Sequence, residues 1–148
     1  MVHDQKGLIG GIDTRSKAVI YPARTVSGYG HIYSLGIAGI PVTAIARMDC
    51  ENFRSRYVCE KYIVADPHDG PPKFIDWLIQ FGCRQETKPV LFMLEDPYAF
   101  IISIYHEQLR PFFHYSFIPL ETIDVFFNKH AMYLKAAEAG LRVPNTIY

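Results

Sequence analysis

Along this 148-residue chain, short apolar runs alternate with stretches in which apolar residues recur every three or four positions. The first run, residues 17–22 (KAVIYP), is rich in β-branched and aromatic side chains and reads as a buried parallel strand. After the turn at residues 27–31 (SGYGH), residues 32–38 read as a helix, closed by Gly39 at a C-terminal cap position and followed by Pro41. Residues 42–46 predict the second strand and residues 62–65 the third, with a polar, arginine-bearing link between them in which no helix is evident. The clearest helical spacing follows Pro71 and Pro72, where Phe74, Trp77, Leu78 and Phe81 fall at i, i+3, i+4 and i+7 before Gly82, the expected stop. Residues 90–94 (VLFML) predict the fourth strand. Asp96 and Pro97 then read as the N-cap and first residue of a helix with Tyr98, Ile101, Ile102, Tyr105 and Leu109 as its buried stripe. Phe117 and Ile118 suggest a short fifth strand. Residues 122–127 and 129–139 carry helical spacing, with Asn128 placed to cap the second and Gly140 to end it.

Strands alternating with helices at these intervals predict an α/β fold: a Rossmann-like, doubly wound, mostly parallel sheet of four or five strands with flanking helices, in the strand order 3-2-1-4. In such sheets ligands gather at the carboxyl ends of the strands, where the order reverses, which singles out the loops at residues 23–31 and 95–97. Residues 1–16 read as a flexible leader and 17–148 as a single domain. The apolar share of 49% with 20% charged residues is that of a globular chain. Fifteen basic residues balance fifteen acidic ones, so neither nucleic acid nor an anionic membrane is an expected partner. Cys50, Cys59 and Cys83 are odd in number and show no CxxC pairing, which favours reduced thiols in the cytoplasm over disulfides or structural zinc. The six histidines show no HxH or HExxH spacing, so no metal site is predicted. No signal peptide or membrane span is evident.

The candidate chemistry lies in the two singled-out loops. Gly28 and Gly30, beside Ser27 in RTVSGYGH, could present backbone N–H groups to an anion at a helix start, or could simply let the chain turn. A dinucleotide fingerprint requires a small residue where Tyr33 stands and an acid where Arg47 stands, so a standard NAD site is rejected. Glu95 and Asp96 are candidates for holding a substrate amine or hydroxyl, with helix capping as the alternative for Asp96, and Arg24 in the opposite loop is a candidate for a carboxylate. Arg54 and Arg56 in RSRY form either a small anion clamp or a solvated pair. Neither a catalytic nucleophile elbow nor a covalent hydrolytic site is present in the sequence.

In order along the chain, SLGIAGIPV, RSRYV, FIDWLIQFG, KPVLFMLED and NKHAMYLKAAEAGLRVPNT resemble the N-terminal (preATP-grasp) domain of ATP-grasp carboxylate-amine ligases, in particular the predicted ATP-dependent carboligases related to D-aspartate ligase. The last motif is the most specific, and residues 121–148 correspond to the start of the connection to the ATP-grasp lobes. The resemblance implies that Lys129 contacts ATP, and that in a complete enzyme ATP and magnesium activate a small carboxylate for attack by an amine. Asn128 stands where the family has Asp, which keeps a capping side chain and removes a charge. The family continues beyond the position of Tyr148 into two lobes that clamp ATP and hold magnesium. This domain by itself is therefore expected to be inactive and to bind neither tightly, its partners being those lobes, in the same chain or another. Two other readings are a stand-alone small-ligand or nucleotide-binding module, and a subunit-interaction domain that self-associates through Phe126, Phe127, Ile147 and Tyr148.

Overall fold

Four parallel strands lie side by side in the computed structural model, which describes residues 8–9 and 12–145. A two-stranded antiparallel ribbon, β1 (Leu8–Ile9) and β2 (Ile12–Asp13), precedes the sheet within the segment expected to be a leader. The main sheet comprises β3 (Ala18–Tyr21), β4 (Val42–Ala46), β5 (Val58–Ile63) and β6 (Val90–Met93), in the order β5-β4-β3-β6. Every pairing within it is parallel, so all four carboxyl ends point the same way. This is the predicted α/β, Rossmann-like fold, with the predicted strand order and its reversal between β3 and β6.

The two central strands are buried throughout, and their side chains alternate between two cores as the two-residue period of a strand requires. Val19, Tyr21 and Ile45 face a core built with Phe74, Ile75, Leu78 and Phe81 of α2 (Pro71–Cys83) and Tyr98, Ile101 and Ile102 of α3 (Asp96–Ile104). Ile20, Val42, Ala44 and Ala46 face the other core, with Ile32 of α1 (Val26–Ile37) and Phe53. Helices thus cover both faces, and each fully buried large side chain contributes about 1.5–3 kcal/mol by leaving water. Thr43 is buried in β4, and its hydroxyl donates to Glu60, which also pairs with Lys17.

Several boundaries differ from expectation for identifiable reasons. The helix after β3 begins at Val26, not at residue 32, because Thr25 caps it: its hydroxyl oxygen accepts from the Gly28 N–H at 3.0 Å. A short 3-10 turn, Glu51–Arg54, occupies the link in which no helix was expected. The third strand of the sheet runs over Val58–Ile63, earlier than residues 62–65, since an edge strand is half solvated and needs no continuous apolar run. Gly82 lies inside α2, where an added Cβ would meet the Phe112 Cβ at 2.6 Å; it makes room for that packing and does not end the helix. The expected fifth strand at Phe117 and Ile118 does not form. Only His114 bridges to Val90, while Phe117 stacks on His106 at 3.8 Å and the Ile118 carbonyl accepts from Ser103.

The expected stripe on α3 splits at Tyr105, with α4 (His106–Leu109) carrying Leu109 to the core. A helical hairpin, α5 (Leu120–Phe127) and α6 (Lys129–Glu138), packs on α3 through α5. Asn128 caps α6 as predicted, accepting from the His130 and Ala131 N–H groups at 3.1 and 3.2 Å. Gly39 and Gly140 take φ of 75° and 78° past the ends of α1 and α6, the left-handed conformation that suits glycine there. No helix of the described residues is long and apolar enough to cross a membrane.

Candidate functional site

Each strand of the main sheet delivers a charged residue at or just beyond its carboxyl end. Arg24 follows β3, Arg47 follows β4, Asp66 follows β5 and Glu95 follows β6. Backbone bonds hold these exits in place: Ala23 N–H donates to the Ile45 carbonyl at 2.7 Å, Val64 N–H to Ala46 at 3.0 Å and Leu94 N–H to Tyr21 at 2.9 Å. Arg47 and Asp66 approach to 3.7 Å. Asp66 is the better shielded partner, with its side chain 10% exposed against 46% for Arg47, and its other oxygen accepts from the His68 N–H at 3.0 Å.

Two tyrosines form the floor between these charges. Tyr21 and Tyr98 are both buried, with ring centroids 4.9 Å apart and a hydrogen bond between their hydroxyls, and the His68 ring lies 5.4 Å from Tyr98. Burial pushes the Tyr21 hydroxyl well above the usual phenol range, and the bond to Tyr98 and the neighbouring carboxylates Asp66 and Glu95 push the same way. Tyr98 is also raised, chiefly by burial and further by Asp66 and Glu95, while its bond to Tyr21 and the positive charge of Arg24 act against the shift. Both phenols therefore stay protonated and neutral at physiological pH. Arg24, Asp66 and Glu95 thus act on neutral hydroxyls, and Arg47 joins the group through Asp66, a mix of charges suited to a small ligand bearing both an anionic and a cationic group.

The candidates read from sequence are dispersed over this region. Arg24 and Glu95 act on the Tyr98 hydroxyl in opposite directions. Asp96 is the first residue of α3 and is exposed; Glu95 takes the N-cap position, and no side chain makes the capping bond, so capping does not account for Asp96. Gly28 is buried under the end of β3, where an added Cβ would lie 2.4 Å from the Ala23 carbonyl oxygen. Its N–H is engaged by Thr25, which removes one donor from any anion cradle. Ser27 and Gly30 line a shallow depression on the outer side of α1 with His31 and Ser34. Arg56 lies in a different groove, beside Tyr57. Arg54, read as one half of an anion clamp or as a solvated residue, pairs instead with Asp49 at 3.1 Å. Lys129 is exposed at the start of α6 and makes no side-chain hydrogen bond or ion pair among the described residues.

Sequence reasoning missed Arg47, Asp66, His68, Tyr21 and Tyr98. Arg47 enters the sequence pattern only as the residue that stands where a dinucleotide fingerprint requires an acid. The signal was present: a charged residue at or just after each predicted strand end is what a parallel sheet gathers on one rim.

An apolar pocket of about 240 Å³ on the outer side of β6, lined by Leu91, Met93, Ala99, Ile102, Tyr115 and Ile118 among others, carries no charged group. The α5–α6 hairpin exposes Phe126, Leu134 and Leu141 at 63%, 53% and 65%, and α6 buries no residue. Ile147 and Tyr148, grouped with Phe126 and Phe127 as a docking surface, lie outside the described residues. Among the described residues no group of three or more His, Cys, Asp or Glu side chains is placed to hold a metal ion. They do not by themselves make the magnesium site of a ligase.

The fold is that of a Rossmann-like α/β domain whose strand order reverses between β3 and β6, with a charged residue at each strand exit. Comparison with family models, with curated proteins and with solved structures finds no match to this chain.

Proposed function

We propose that this chain is the N-terminal, substrate-side domain of an ATP-dependent carboxylate-amine ligase of the ATP-grasp type, working in the cytoplasm, and that its strand-end crevice receives a small substrate carrying a carboxylate and an amine. The observation that carries the reading is that a charged residue follows each of the four strand ends, with Arg47 3.7 Å from Asp66 and with Arg24, Asp66 and Glu95 all acting on the Tyr98 hydroxyl. The motif order from SLGIAGIPV to NKHAMYLKAAEAGLRVPNT supports the ligase class. In this role Arg24 and Arg47 bind the carboxylate, Asp66 and Glu95 hold the amine, and Tyr98 donates to the ligand from a hydroxyl that stays neutral. Lys129, with its ammonium free among the described residues, reaches toward ATP held by lobes that dock on the apolar face of the α5–α6 hairpin. Three free cysteines, two of them exposed, suit a reducing compartment.

The test is titration of the 148-residue chain with glycine, aspartate and succinate, followed by amide NMR. Saturable shifts at Arg47, Asp66 and Tyr98 are expected with the amino acids, weakened at least tenfold in Arg47→Ala and Asp66→Asn, with no tight binding of ATP. Absence of any saturable shift at the strand ends at millimolar ligand would refute the crevice. A stand-alone binding module is the second reading, favoured by the fact that every residue of the cluster belongs to this one chain. Tight binding of a small ligand together with a natural gene product of about this chain's size and no co-purifying partner would select it.

A further inference from the structure

A second constellation lies on the exposed face of α1 and shares no lining residue with the strand-end charges. Tyr29 and Tyr33, one helical turn apart, stack with centroids 6.0 Å apart and 22° between their planes, yet remain 51% and 46% exposed. Tyr57, just before β5, meets Tyr33 edge to face at 5.7 Å. It seats directly against the helix at Gly36, where an added Cβ would come within 2.3 Å of the Tyr57 Cβ. Arg56 lies over the Tyr57 ring at 5.0 Å and donates to the Tyr57 hydroxyl at 2.9 Å, which pre-positions its guanidinium. Together with Glu51 and Arg54 these residues line an open groove of about 480 Å³, the size of a small-molecule site.

The chemistry of the groove is specific. Stacked, half-exposed phenol rings offer π-faces to a flat heterocycle. Arg54 is committed to Asp49 and to the Cys50 carbonyl, and the Asn52 amide to the Ala23 and Thr25 carbonyls. Arg56 has no carboxylate partner among the described residues, and it is thereby the groove's uncommitted cation. One such cation matches one phosphate group. Glu51, on the same wall, can accept from an exocyclic amino group, but its charge would repel the denser charge of a triphosphate.

We propose that this groove binds a nucleoside monophosphate bearing an amino-substituted base, the base stacked against Tyr29 and Tyr33 and the phosphate held by Arg56. The site uses none of the strand-end residues assigned above and does not depend on the ligase reading. It is tested by NMR titration of the full chain with AMP, adenosine, ribose 5-phosphate and ATP. AMP is expected to give saturable shifts centred on Tyr29, Tyr33 and Arg56, with adenosine and ribose 5-phosphate each at least tenfold weaker and ATP no tighter than AMP. Tyr33→Ala and Arg56→Ala, at two exposed side chains, should each weaken AMP about tenfold, while Lys135→Ala on α6 leaves it unchanged. Ribose 5-phosphate binding as tightly as AMP, unchanged affinity in Arg56→Ala, or AMP shifts confined to other surfaces would each overturn the proposal. ATP binding tenfold tighter than AMP would overturn the single-phosphate chemistry.

Discussion

Gly28 and Gly30 stand two residues apart in the first turns of α1, and replacing each by alanine is expected to change stability in opposite directions. At Gly28 the new Cβ would lie 2.4 Å from the Ala23 carbonyl oxygen, 2.7 Å from its carbon and 2.8 Å from the Pro22 oxygen. Ordinary contact begins near 3.4 Å, so the helix start must retreat from the end of β3 by about 1 Å in an interior packed as densely as a crystal. The backbone atoms it meets cannot rotate aside as a side chain can. Moving the helix also loosens Ile32 in the core and strains the bond from Gly28 N–H to Thr25. Overpacking of this kind costs about 1–3 kcal/mol, and more where only backbone can yield, against a helix-propensity gain of about 1 kcal/mol. With that gain subtracted, Gly28→Ala should be less stable by roughly 0–2 kcal/mol, and by more where the backbone cannot yield. At Gly30 an added Cβ meets nothing within 4 Å, so only the propensity gain remains and Gly30→Ala should be more stable by up to about 1 kcal/mol. Thermal unfolding followed by circular dichroism reads this as Tm shifts of opposite sign, at about 2–4 °C per kcal/mol for a chain of this size. Equal effects of the two substitutions, or a stabilised Gly28→Ala, would show that α1 does not pack on the strand end through Gly28.

Alkali should unfold the domain through its buried phenols. Tyr21 and Tyr98 have folded-state pKa values raised above the ordinary 10.0, so above pH 10 the unfolded chain releases protons that the folded chain retains. Stability is then full below pH 10 and falls as pH rises, by up to about 1.4 kcal/mol per pH unit for each group; urea titrations at pH 7 to 11 should show a shallower alkaline loss in Tyr21→Phe, and identical profiles would contradict the assignment. Asn128→Ala removes the two capping bonds of α6, worth about 1 kcal/mol. Because α6 buries no residue, the loss should appear as faster amide exchange within residues 129–138, with the global unfolding midpoint nearly unmoved.

Elements whose local pattern and tertiary fate agree were legible in the chain. Val42–Ala46 is apolar because it is central and buried on both faces, and α2 shows its stripe because one side of it lies on the sheet. Asn128 and Gly140 were legible because capping depends on a few neighbouring backbone groups and on nothing distant. The candidate site was legible in part: Arg24 and Glu95 fall next to strands that announce themselves, and the rule that ligands collect at a switch point placed them on one rim.

What only the tertiary structure decided are relations between residues far apart in sequence. Arg47 and Asp66 become partners because β4 and β5 are neighbours whose register brings both ends to one side. Val58–Ile63 is a strand because β4 offers it an edge, although its alternating, half-polar residues resemble a surface loop. Residues 117–118 have strand-like side chains and no strand, since the chain leaves the edge of β6 after His114. Gly28, Gly36 and Gly82 look alike in sequence as flexible positions; the structure shows each as a place where another segment approaches too closely for a Cβ. Local propensity is written in a window of a few residues, whereas pairing, close approach and the gathering of charges depend on which surfaces the whole chain brings together.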